Sequence, residues 1–107
     1  MIDLTGAEKA LNFLKSTDKE AARLKAYASS MDDLKKTVLA TSYNDKGEGS
    51  AADKTKYAEG STLYKEHIAA LRVAFEESLI MQNQRKSAEL QIEMWRSVNS
   101  NQRKGNI

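Results

Sequence analysis

Apolar residues recur along this chain at intervals of three and four, the rhythm of helices that each bury one stripe. A first short helix is expected over residues 6–15. Thr5 and Glu8 have the capping-box spacing, in which a hydroxyl and a carboxylate each satisfy an orphan backbone N–H. Ala7, Ala10, Leu11 and Leu14 then share a face that Phe13 widens. Ser16, Thr17 and Asp18 read as a restart, because Thr17 and Glu20 repeat the same spacing. A second helix is expected over 18–42. Its inward stripe is Ala21, Leu24, Ala28, Met31, Leu34 or Lys35, and Val38, with a solvated face of Lys, Arg, Asp and Ser opposite.

Between Tyr43 and Ser50 two glycines and no apolar rhythm mark a bend, so 43–60 reads as a loop. A brief helical piece over 51–58 is expected inside it, ending at Gly60, a residue suited to the left-handed conformation. From 62 to 99 strong helix formers run unbroken, a third helix on the order of 57 Å long. Tyr64, Ile68, Leu71, Phe75 and Leu79 form its first stripe, and Ala88, Ile92 and Trp95 its second. Gln82 to Ser87 interrupts the two. Residues 100–107 read as a flexible tail. The expected fold is all-α, a single helical domain built as an antiparallel hairpin of two long helices with a short N-terminal helix. The second helix, about 38 Å long, cannot cover the third, so either the first helix folds back over the remainder or another copy of the chain does.

Composition narrows this picture. The 107 residues contain no Pro, the strongest helix breaker, and no Cys, as expected of a chain in a reducing compartment such as the cytoplasm. No run of 18 apolar residues offers a membrane span, and the N-terminus lacks the basic start and apolar run of a secretion signal. Seventeen Lys and Arg against fifteen Asp and Glu leave +2. Over 81–107, five basic residues face only Glu89 and Glu93, so the surplus lies at the C-terminal end.

Catalytic chemistry finds no foothold. His67 is the only histidine and reads as a surface residue, which excludes a metal cluster or a nucleophile–His pair within one chain. The acidic pairs Asp32–Asp33 and Glu76–Glu77 diverge on a helix. The segment Gly47–Ser50 lacks the order of a phosphate loop. The reading is a non-enzyme with no cofactor and no metal.

The C-terminal third is more suggestive. Arg85, Lys86, Arg96, Arg103 and Lys104 accompany the only Trp, and cations with an aromatic face are what single-stranded nucleic acid requires. Trp95 also stands at helical spacing from Ile92 and Ala88, which favours a core or interface role over base stacking. Ile80, Leu90, Ile92, Met94, Trp95 and Val98 together form the expected self-association surface.

These features have a familiar order: Lys35 to Ala40, a polar glycine-containing loop, Ala52–Asp53–Lys54 with Tyr57 and Tyr64, then Arg85 to Leu90 and Trp95–Arg96–Ser97. The layout over about 20–99 resembles small helical bacteriophage proteins, and is distantly similar to the phage recombination mediators of the UvsY type. That resemblance implies a helical homo-oligomer in the bacterial cytoplasm that binds single-stranded DNA and helps load a recombinase. Arg85, Lys86, Arg96, Arg103 and Lys104 would then contact phosphates. A phage protein that binds and inhibits or redirects a host protein, and a structural assembly subunit, are the alternatives.

Overall fold

The computed structural model describes residues 4–105, the side chain of Lys104 excepted. Three helices, α1 (Leu4–Asp45), α2 (Ala51–Glu59) and α3 (Thr62–Gly105), make up 93 % of the described residues, and no strand occurs among them. The fold is all-α. None of these helices is long and apolar enough to cross a membrane.

The expected restart at 16–17 does not occur, and α1 runs straight through it. Instead of capping a new helix, Ser16 Oγ and Thr17 Oγ1 donate back to the Phe13 carbonyl, at 3.2 and 2.7 Å. With α1 at 42 residues and α3 at 44, the expected length mismatch between the second and third helices disappears. Residues 100–105, expected in the flexible tail, are also helical, while 106–107 lie outside the described residues.

The chain divides into two compact units, Met1–Ala22 with Leu79–Ile107, and Arg23–Ser78. In the second, Ser42 and Ser61 hydroxyls lie 3.0 Å apart, and His67 Nε2 donates to the Met31 carbonyl at 2.8 Å. His67 is therefore half-buried and bonded, not the surface residue expected. The inward positions of this unit are Leu24, Ala28, Met31, Lys35, Val38 and Ser42 on α1, and Tyr64, His67, Leu71, Ala74 and Ser78 on α3. These follow strict three-four spacing, with Leu39, Tyr43 and Ile68 half-buried beside them. Lys35 takes the inward place and Leu34 the exposed one, since a lysine stem can lie along a seam while its ammonium reaches water. Phe75 and Leu79 stay exposed because Ala74 and Ser78 occupy the seam.

The bend in this unit depends on backbone freedom. Gly47 and Gly49 have φ of 77° and 119°, where an L side chain is strained. Ser50 then caps α2, its Oγ accepting from the Asp53 N–H at 3.2 Å. Gly60 follows with φ −88°, in the right-handed region, so its expected left-handed geometry is not used. Ser61 caps α3 by accepting from the Tyr64 N–H at 3.2 Å. Two lysines lie over rings nearby, Lys46 on Tyr57 and Lys54 on Tyr43, each with Nζ 5.6 Å from the centroid.

The first unit repeats the pattern with Ala7, Ala10, Leu14, Thr17 and Ala21 on α1, and Met81, Arg85, Ala88, Ile92, Trp95 and Asn99 on α3. Among the described residues of each unit the buried apolar ones are alanines apart from Leu71, and no large side chain is fully buried. Small seam residues let helix axes approach toward the short end of the usual 8–10 Å range, but each buries little apolar area.

Candidate functional site

The five basic residues of the C-terminal end do not share one environment. Arg85 projects from α3 at a seam position of the first unit, its side chain only 20 % exposed. One guanidinium nitrogen, Nη1, donates to the Leu14 carbonyl at 2.8 Å and to Thr17 Oγ1 at 2.9 Å, and Nη2 reaches Asp18 Oδ1 at 3.2 Å. Thr17 can accept because its own proton goes to Phe13. The planar fork of arginine suits this job, with a charge-assisted bond to each oxygen. Arg85 is thus engaged within the unit and is not presented to a phosphate.

Lys86, Arg96 and Arg103 are exposed. The side chain of Lys104 lies outside the described residues. At about 100° per residue, Lys86, Arg96 and Arg103 share a side of α3 with Glu89 and Glu93, also exposed. The two carboxylates stand between Lys86 and Arg96 and offset much of the local positive potential. The surplus that the residue count shows is spread thinly in space.

The six expected interface residues separate into two groups. Ile92 and Trp95 are half-buried in the seam of the first unit, next in spacing to Ala88. Ile80, Leu90, Met94 and Val98 point outward, between 40 and 54 % exposed. Trp95→Ala is expected to cost about 3 kcal/mol of stability, measurable by urea denaturation. A Trp that served only as a surface stacking platform would leave the midpoint unchanged.

Beside the seam, Lys9, Ala10 and Phe13 of α1 and Gln84, Ser87, Ala88 and Gln91 of α3 line an open groove, too shallow to enclose a small molecule. No group of three or more His, Asp and Glu that could hold a metal occurs among the described residues. No protein-family model matches the chain, and no curated protein and no solved structure matches it either. Sequence reasoning missed the Arg85 strut and the His67 bond. Each joins residues tens of positions apart, and the only available signal was a polar residue standing in a three-four rhythm.

Proposed function

We propose that this chain is a non-enzymatic, phage-type binding protein that works as a homo-oligomer in the bacterial cytoplasm, with α1 and α3 paired as an antiparallel hairpin joined through α2. The pairing is supported within each unit. In one, Met31 meets His67 while the later Ser42 meets Ser61. In the other, Thr17 meets Arg85 while the earlier Ala10 lines a groove with Ala88 and Gln91.

One observation carries the self-association. In the first unit Ile80, Leu90, Met94 and Val98 of α3 are 40 to 54 % exposed, a group of large apolar side chains on one side of a helix of the kind that marks a protein–protein contact. An alanine seam explains why the chain needs this, since it provides little apolar burial of its own. Light scattering at micromolar concentration is expected to give a mass above that of one chain. The mass of a single chain would refute the proposal.

Single-stranded DNA is the second reading, favoured by the exposure of Lys86, Arg96 and Arg103. An oligomer would multiply three weak contacts per chain through avidity, as the resemblance to recombination mediators implies. Each phosphate neutralised adds roughly 0.7 to the logarithmic salt slope. Binding of a labelled oligonucleotide should therefore weaken steeply with salt, and replacing Lys86 and Arg96 by Ala should flatten the slope with helix content unchanged. No binding at about 0.15 M salt would end the nucleic-acid reading and leave the oligomer reading intact.

A further inference from the structure

We draw no further inference here: the strongest candidate, the groove of the second unit where Lys56 and Tyr57 of α2 stand beside Thr62 and Leu63 at the start of α3, rests on a helix N-terminus with no second observation that points to a ligand, its deeply buried Ser42 being already hydrogen-bonded to Ser61.

Discussion

Asp18→Pro is expected to destabilise the protein by about 3 kcal/mol or more. The effect decides between a helix that begins at residue 18 and one that passes through it. Had Thr17 capped a new helix, Asp18 would stand at the first helical position, where proline is well tolerated because its missing N–H has no partner there. In the continuous α1, the N–H of residue 18 belongs to the Leu14 carbonyl, and the proline ring would collide with that same carbonyl. Leu14 O also accepts from Arg85, so the damage extends to the contact with α3. Asp18→Ala is the control. Its carboxylate is 78 % exposed, and an ion pair of that kind contributes about 0–1 kcal/mol. Chemical denaturation of both variants provides the comparison, and a proline variant as stable as the alanine one would exclude the uninterrupted helix.

Arg85→Ala is expected to cost about 2–3 kcal/mol, because it removes charge-assisted bonds to Leu14 O and Thr17 Oγ1 from a half-buried position. Arg85→Met should restore most of the loss, since an apolar side chain of similar length fills the same seam without a charge to desolvate. Thermal melts of the three proteins test this order. A surface arginine waiting for phosphate would give the opposite pattern: no change in melting temperature on truncation, and weaker oligonucleotide binding. The consequence for binding experiments is practical. Arg85→Ala changes stability and is a poor probe of nucleic-acid contact, whereas Lys86 and Arg96 are exposed and can be replaced without that confusion.

Much of the architecture was determined locally and was therefore legible in the residues. A chain without proline and rich in Ala, Leu, Lys and Glu has nothing to stop helices except the Gly47–Gly49 bend and the Ser50 and Ser61 caps, and α2 and the start of α3 fall there. The three-four rhythm likewise announced helices with one buried stripe. Which stripe is buried was another matter. Of the expected row Tyr64, Ile68, Leu71, Phe75 and Leu79, the first three are buried or half-buried, yet Phe75 and Leu79 are exposed and Ala74 and Ser78 face inward in their place. The row that wins is set by how closely two helices can approach, a property of both surfaces together that one helix's hydrophobicity does not contain. Thr17 made the same point in miniature, since a hydroxyl that can cap a helix start can equally bond back to Phe13 within a helix. Its role was decided by Arg85, 68 residues away. A capping signal is a local preference of about 1 kcal/mol, and a charge-assisted bond across a seam is large enough to override it.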